Sequence, residues 1–186
     1  WAAKTPLTLT AASATLSYDG TEKSVSGIVP SISGLTVEGA TAGASGTEPS
    51  RYPTSFQDQN ALVLKSGGDD VTERYTVTWV GGSLTINPVV TYRLSANGAL
   101  LGTEAVAYET GSATYPYTPP QSVTSGGLNY YWTGSYNPAS ATNLTQNITI
   151  YATYTQKKTL VITGDSDTRV YTGNEQSIST AKVNVS

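Results

Sequence analysis

The sequence lacks cysteine, methionine and histidine altogether. Without cysteine the chain can form neither a disulfide nor a thiolate, so its composition does not identify a redox compartment. The absence of both cysteine and histidine argues against a zinc or copper site and leaves only carboxylate and carbonyl ligands for hard cations. Histidine is also the commonest general base, so its absence argues against an enzyme. We therefore expect a protein that is not an enzyme and that needs no cofactor.

Charged residues and long apolar runs are scarce as well. Only 12% of the residues are charged, the net charge is −3, and no basic cluster occurs. Nucleic acid is therefore not an expected partner, because binding to it depends on phosphate neutralisation. No apolar run reaches membrane-spanning length and no signal peptide occurs, so we expect no membrane insertion in this segment. A chain that begins at Trp1 and contains no methionine is expected to be a piece of a longer protein.

The residues that do occur favour a mainly β fold. Tyrosine appears 13 times against a single phenylalanine, and threonine, serine and glycine are abundant. Tyrosine and threonine favour half-buried pleated surfaces, while glycine and proline mark short turns. No stretch shows a helical period over three turns, so the composition predicts short strands joined by tight turns.

One stretch of the chain repeats an earlier one without a gap. Residues 160–179 match residues 7–26, with Tyr18 falling on Tyr171 at an offset of 153 residues (171 − 18). The identical pairs include Leu7/Leu160, Thr10/Thr163, Ser13/Ser166, Thr15/Thr168, Gly20/Gly173, Glu22/Glu175, Ser24/Ser177 and Ser26/Ser179. A self-match at a fixed offset is typical of repeat arrays. The sequence therefore predicts a unit A over residues 6–87, a unit B over residues 88–156, and the N-terminal part of a second unit A over residues 159–186.

Unit A contains a turn and two alternating stretches. Asp19-Gly20 is a strong turn signal, because glycine tolerates a positive φ angle. The alternation in Val71–Val80 predicts one long strand, and we expect Gly81-Gly82 to reverse the chain into Ser83–Asn87, so that the two strands form a closing hairpin. The residues expected on the inward face are Val71, Glu73, Tyr75, Val77, Trp79, Leu84 and Ile86.

These stretches of unit A resemble a known family. Tyr18–Lys23, Val71–Val77 and Gly82–Ile86 are similar to the MBG-type repeats of large bacterial surface proteins, which open on a Tyr-x-Gly turn and close on a VTxNYxV…GxLTI hairpin. Arg74 stands where the family usually has asparagine. The resemblance implies an extracellular, β-sandwich-like module that serves as a stalk or adhesive segment, and it implies no catalytic residues.

Unit B resembles a different family. Val90–Tyr92, Tyr130–Gly134 and Asn147–Tyr154 are similar to the Listeria–Bacteroides-type repeat (the internalin B-repeat family) and to the neighbouring MucBP-like modules. Trp132 precedes Gly134 here, whereas the family places the tryptophan after the glycine. The resemblance implies a small β-grasp-like fold. Prolines within Tyr115–Pro120 exclude a central strand there.

The aromatic residues of unit B are the sharpest candidate for a binding site. Tyrosine and tryptophan offer flat apolar faces with a polar handle, which suits sugar rings or a protein anchor. The candidate platform consists of Tyr115, Tyr117, Tyr130, Tyr131, Trp132 and Tyr136. Alternation puts Tyr130 and Trp132 on one face of the strand and Tyr131 on the other. We expect one of these faces to belong to the core and Trp132 to fill it. The expected partner is a glycan or a surface protein of a host or neighbouring cell.

The carboxylates offer weaker candidates. A hydrolase could use Asp69-Asp70, Asp165/Asp167, and Glu48 or Glu73. However, Asp69-Asp70 sits in a Gly-Gly turn, where aspartate is favoured for local backbone hydrogen bonds, and no spacing predicts a cleft. Asp165-x-Asp167 hints at calcium, but the further oxygen ligands of a calcium loop are missing. We therefore expect no metal site.

An intramolecular covalent cross-link is a further candidate. A Lys–Asn isopeptide bond, as in some Gram-positive surface modules, would use a buried Lys65 with Glu73 as the acid that moves the proton. A carboxylate buried on the inward face would need such a partner. The alternative is that Lys65 is a solvated strand end and Glu73 lies at the open edge of the sheet.

The junctions between units are short. Asn87-Pro88 joins A to B and residues 156–158 join B to the next A, which predicts a semi-rigid array of tandem β-modules. We expect a structural and adhesive segment of a bacterial cell-surface or secreted repeat protein, located outside the cell. The alternative is a carbohydrate-binding accessory region of a larger secreted enzyme.

Overall fold

The fold is mainly β, as the composition predicts. The computed structural model describes residues 3–157, 160–164, 168, 170, 173–174 and 181–185. Of these residues, 57% lie in strands and 4% in helices. The helical residues form two 3₁₀ turns, Gln59–Ala61 and Thr72–Arg74. The structure therefore confirms the expected mainly β fold, which consists of several small sheets.

The first strand group comprises twelve strands that form four three-stranded sheets. The strands are β1 Thr5–Ala11, β2 Ala14–Ser17, β3 Lys23–Ser26, β4 Ile28–Pro30, β5 Leu35–Glu38, β6 Thr41–Gly46, β7 Ser50–Pro53, β8 Ser55–Gln57, β9 Val63–Ser66, β10 Asp69–Asp70, β11 Tyr75–Val80 and β12 Ser83–Asn87. The sheet orders are β11-β1-β4, β2-β12-β7, β3-β6-β8 and β10-β9-β5. No described strand of this group pairs with a strand beyond Asn87.

The expected closing hairpin is wrong. β11 pairs in parallel with β1, Thr5 opposite Tyr75, and β12 pairs in parallel with β2, Ala14 opposite Leu84. Both pairings have the same offset of 70 residues, and β11 and β12 lie in different sheets and do not pair with each other. A tight reversal of the I′ type needs positive φ angles at its two central residues, and neither Gly81 nor Gly82 is among the glycines with positive φ.

The expected long strand over Val71–Val80 is shorter than predicted. β11 begins at Tyr75, because a 3₁₀ turn over Thr72–Arg74 precedes it. The carboxylate of Asp70 accepts hydrogen bonds from the backbone N–H and the hydroxyl of Thr72, at 2.9 and 2.7 Å. An Asx turn of this kind competes with strand geometry. Val71 is still buried, but Glu73 is exposed, so its expected inward position is also wrong.

The first core lies against β1. Leu7 and Leu9 are 1% and 0% exposed and pack with Leu35, Leu64 and Val71. Tyr75, Val77 and Trp79 lie half-buried against this cluster, which confirms their inward alternation. Leu84 and Ile86 of β12 are 0% exposed, as predicted.

The second strand group forms one five-stranded sheet. Its strands are β13 Val89–Leu94, β14 Leu100–Ala105, β15 Ser122–Ser125, β16 Leu128–Asn137 and β17 Ile148–Gln156. Their order is β14-β13-β17-β16-β15, with β13 and β17 parallel at the centre and the other neighbours antiparallel. The buried residues Val90, Tyr92 and Ile150 face one side of this sheet. Residues 106–121 contain no strand, and within this range the prolines predict its absence over Tyr115–Pro120.

The last described strands are β18 Leu160–Gly164 and β19 Ala181–Val185, which pair antiparallel. Gly173 has a φ angle of 80°, and Gly20, its match in the repeat, has 81°. Tyr171, the counterpart of Tyr18, and the acidic pair Asp165/Asp167 lie outside the described residues.

Candidate functional site

Tyr92 is the centre of an aromatic group in the second strand group. Its side chain is fully buried, because β13 is a central strand and alternation turns Tyr92 toward the core. The ring centroids of Tyr115, Tyr117 and Tyr136 lie 5.8, 5.2 and 6.2 Å from that of Tyr92, at steep angles. Such tilted contacts are the favoured geometry of aromatic pairs. We call these four residues the tyrosine cluster.

The hydroxyl groups of the tyrosine cluster bind within the protein. The Tyr115 hydroxyl donates to the carbonyl of Pro138 at 3.0 Å, and the Tyr117 hydroxyl donates to the carbonyl of Thr103 at 2.7 Å. The Tyr136 hydroxyl donates to the carbonyl of Tyr117. Each of these three candidate platform residues thus has its ring against the core and its polar end on the backbone.

Two local features bring the outer tyrosines over the sheet. A Cβ atom at Gly102 would lie 2.2 Å from the ring of Tyr117, so the glycine of edge strand β14 makes room for that ring. Tyr115 adopts a left-handed backbone with a φ angle of 53°, and its N–H donates to the Tyr92 hydroxyl at 3.1 Å. Residues 106–121 therefore cover the core face of the sheet.

Glu104 completes the polar side of the tyrosine cluster. Its carboxylate accepts hydrogen bonds from the Tyr92 hydroxyl and from the Thr114 N–H and hydroxyl, the last two at 2.8 and 2.6 Å. Partial burial by itself would raise the pKa of Glu104, but these hydrogen bonds outweigh it and lower the pKa. Burial, reinforced by Glu104, raises the pKa of Tyr92. Glu104 therefore serves as an internal hydrogen-bond acceptor.

Trp132 lies at the margin of the tyrosine cluster. It is half-buried, its ring contacts Tyr136 edge-on at 6.3 Å, and its Nε1 donates to the carbonyl of Ser135 at 3.3 Å. Its partner across the strands is Tyr154, whose hydroxyl donates to the carbonyl of Pro120 at 2.6 Å. Trp132 thus shares the core face of the sheet.

Tyr131 lies on the opposite face of the sheet. Its side chain is 38% exposed, and the Lys157 ammonium sits 5.1 Å from its ring centroid. The alternation of β16 places the half-buried Tyr130 on the other face, with Trp132. The structure therefore splits the six candidate platform residues between two faces, as the sequence alternation implies.

Tyr151 was not among the candidates, although it shares the face of Tyr131. It is 40% exposed and has Arg93 and Asn137 as its neighbours across β13 and β16. We call Tyr131, Tyr151 and Arg93 the open face. The alternation of β17, with Ile150 and Ala152 inward, was the signal that could have revealed Tyr151.

The candidate isopeptide residues are apart. Lys65 Nζ contacts the carboxylate of Glu38 at 3.0 Å, and the carboxylate of Glu73 contacts Lys4 Nζ at 3.0 Å. The Glu73 side chain is 94% exposed. The 3₁₀ turn before β11 removes Glu73 from the sheet, so Lys65 and Glu73 do not meet.

Two surface depressions lie in the first strand group and differ in their lining. One is lined by residues of β3–β6, including Ile28, Leu35 and Ala40, and none of its lining residues is ionisable. Asp70 lines a second one, and its hydrogen bonds from Thr72 lower its pKa. Among the described residues, no three acidic side chains are grouped so that they could hold a metal ion.

Fold and site together define a mainly β-protein in which the tyrosine cluster belongs to the core of the second strand group. No protein-family model, curated protein or solved structure matches the chain. In the described part of the chain, no helix has the length and apolar character needed to span a membrane.

Proposed function

We propose that this chain is a non-catalytic structural segment of a bacterial cell-surface or secreted repeat protein, which spaces or presents a binding surface outside the cell. The observation that supports this best is the joint between the two strand groups. Strand β12 ends at Asn87 and β13 begins at Val89, so a single residue, Pro88, separates them.

Asn87 bonds to both strand groups at once. Its backbone carbonyl accepts the N–H of Tyr18 in the first group at 3.0 Å. Its side-chain Oδ1 accepts the N–H of Tyr108 in the second group, also at 3.0 Å. Because one residue is fixed from both sides, rotation at this position would break at least one of these bonds.

Pro88 and Val89 are held just as closely. Pro88 is fully buried and its carbonyl accepts the N–H of Val106 at 3.0 Å. The N–H of Val89 donates to Oδ1 of Asn147 at 2.8 Å. A joint without a flexible linker suits a spacer, since mechanical extension depends on stiffness between units.

We extend the proposal to the folds that the family resemblances imply. In the second strand group, the first and last strands lie parallel at the centre of the sheet, and a crossing segment covers one face, which supports a β-grasp-like unit without a helix. In the first strand group, small sheets enclose Leu7, Leu9 and Leu64, which supports a β-sandwich-like unit.

The test is a comparison of molecular alignment by residual dipolar couplings. In the wild type we expect the amides of both strand groups to fit one alignment tensor. Asn87→Ala removes the bond to Tyr108, so the two groups should then require different tensors, while each keeps its own fold. Asn60→Ala, at an exposed position of the first 3₁₀ turn, is the matched control. Independent tensors in the wild type would overturn the spacer proposal.

A carbohydrate-binding accessory role is the second candidate, favoured by the open face. Tyr131 and Tyr151 present exposed rings there, and exposed aromatic rings can stack on sugars. Retention on an insoluble polysaccharide should be lost on Tyr151→Ala and kept on Val29→Ala, which truncates an exposed residue of the first strand group. If the wild type is not retained on any polysaccharide tested, this role is excluded for those ligands.

A further inference from the structure

The β18–β19 pair has the same register as a pair inside the first strand group. In β18–β19, Gly164 lies opposite Ala181. Subtracting the repeat offset of 153 from both numbers gives Ala11 and Ile28, which lie opposite each other in β1–β4. The repeat thus extends from sequence to strand pairing, and β18 corresponds to β1.

In the first copy, β1 is paired along both edges. The Thr8 carbonyl accepts the Ser31 N–H, and the Ala12 N–H donates to the Gly27 carbonyl, so these groups point toward the β4 side. Because backbone groups alternate along a strand, those of Leu9 point toward β11, where Trp79 is its neighbour. By correspondence, the backbone groups of Ile162 point to the edge of β18 away from β19.

In the part of the chain that the structure describes, that second edge of β18 is open. Within the described residues, β18 pairs with β19 alone. Leu9 is 0% exposed beneath its neighbours, whereas its counterpart Ile162 is 65% exposed. Val161, next to it, is 48% exposed. Unpaired edges with apolar side chains are ready templates for another strand.

We propose that the open edge of β18 is a strand-acceptor site, and that its partner is an extended segment with the pattern of β11. The partner enters parallel to β18, with a Val77-like residue opposite Leu160 and a Trp79-like residue opposite Ile162, as β11 lies against β1. This is recognition by addition of a strand to a sheet edge. The inference rests on the repeat-array part of the proposed function.

The partner is specified by two features of β11. Its apolar residues Tyr75, Val77 and Trp79 alternate with threonines and Val80, so one face covers Ile162 and the other meets water. Its orientation is parallel, which only a separate or distant segment supplies, since a tight turn joins antiparallel strands. An arbitrary apolar strand lacks this combination.

The test uses a fluorescently labelled peptide of residues 71–87, titrated into the full chain and followed by anisotropy. We expect saturable binding and slower hydrogen exchange at the Ile162 amide. The matched control peptide exchanges Thr76 with Val77 and Thr78 with Trp79, which keeps the composition but turns the apolar face outward. It should bind at least about tenfold more weakly.

Ile162→Pro is the decisive variant of the chain. It removes the N–H that the partner strand would use, so we expect peptide affinity to fall by about tenfold or more. Ile162→Ala keeps the N–H and should bind with intermediate affinity. Residue 162 is not part of either core cluster. Unchanged hydrogen exchange at the Val161 and Thr163 amides, which face β19, will therefore show that both variants keep the β18–β19 pair.

Two outcomes would overturn the proposal. One is binding that is absent in the wild type or equal in the wild type and Ile162→Pro. The other is self-association of the chain through this edge that the peptide does not displace, which would make a second copy the occupant. Either result leaves a single alignment tensor across Asn87-Pro88 intact, so failure here is distinguishable from failure of the spacer proposal.

Discussion

At the scale of single residues, hydroxyl groups decide how the tyrosines are used. Tyr92, Tyr115, Tyr117 and Tyr136 each lie with the ring in the core and the hydroxyl on a carboxylate or carbonyl. No buried side-chain polar atom in the described part of the chain lacks a partner. Phenylalanine could fill the same volume but would leave these acceptors unpaired, which explains why tyrosine outnumbers phenylalanine in this core.

The tyrosine cluster predicts sensitivity to alkali. Burial raises the pKa of Tyr92, Tyr115 and Tyr136 above their ordinary value of 10.0. The unfolded chain therefore loses these protons at lower pH than the folded chain. The stabilisation is fully present below about pH 10 and is lost as pH rises through the raised pKa values. Denaturant titrations from about pH 8 to about pH 12, with tyrosinate absorbance in parallel, should show this fall in unfolding free energy.

A variant isolates the contribution of the carboxylate. Glu104 reinforces the rise in the pKa of Tyr92. Glu104→Gln removes the negative charge, so the loss of stability above about pH 10 should be shallower than in the wild type. If the unfolding free energy falls equally steeply with pH in both proteins, Glu104 has no part in the sensitivity to alkali.

At the scale of elements, Gly81-Gly82 connects strand β11 of one sheet with strand β12 of another. β11 precedes it and lies parallel to β1, and β12 follows it and lies parallel to β2 in another sheet. The Gly82 N–H donates to the Thr54 hydroxyl at 2.7 Å, and the Ser83 N–H donates to the Ser13 hydroxyl at 3.0 Å. Here residues 11–13 approach Gly82 so closely that a side chain would fit at Gly81 but not at Gly82.

The two glycines should therefore respond differently to substitution. A Cβ atom at Gly82 would lie 2.4 Å from the carbonyl oxygens of Ala11 and Ala12, so Gly82→Ala should lower the unfolding free energy by about 1–3 kcal/mol. A Cβ atom at Gly81 meets nothing within 4 Å, so Gly81→Ala should be neutral or stabilise by up to about 1 kcal/mol. Urea denaturation measures both. Equal changes in unfolding free energy for the two variants would contradict the close approach of residues 11–12 to Gly82.

At the scale of the whole molecule, the joint makes neighbouring strand groups depend on each other. Asn87 is the last residue of β12, and its side-chain Oδ1 accepts the N–H of Tyr108 across the junction. At the end of β17, the Lys157 N–H donates to the Asn129 carbonyl at 2.9 Å, which holds this end within the second strand group. We propose that the short, bonded joint at Asn87-Pro88 couples the two groups, since contacts between neighbouring units stabilise repeat arrays. The alignment measurement on Asn87→Ala examines this dependence directly.

The sequence by itself determined the properties that rest on local pattern. One of them is the β-rich composition. The others follow from the period of two along a strand: the inward alternation of Tyr75, Val77 and Trp79, the burial of Leu84 and Ile86, and the division of Tyr131 from Trp132. The offset repeat was equally visible. Each of these depends only on residues close together in the chain or on self-comparison.

Only the tertiary structure decided which strands meet and which aromatic faces are covered. The parallel pairing of β1 with β11 joins residues 70 positions apart, as in Thr5 and Tyr75, and alternation is the same for a hairpin as for a distant partner. The aromatic rings of Tyr115 and Tyr131 are chemically identical. The Tyr115 ring is half-buried because it packs against Tyr92 and Tyr136 and its hydroxyl bonds to the Pro138 carbonyl, whereas Tyr131 is 38% exposed. Local pattern fixes the direction of a side chain along its strand, and the non-local packing of strands fixes what lies on that side.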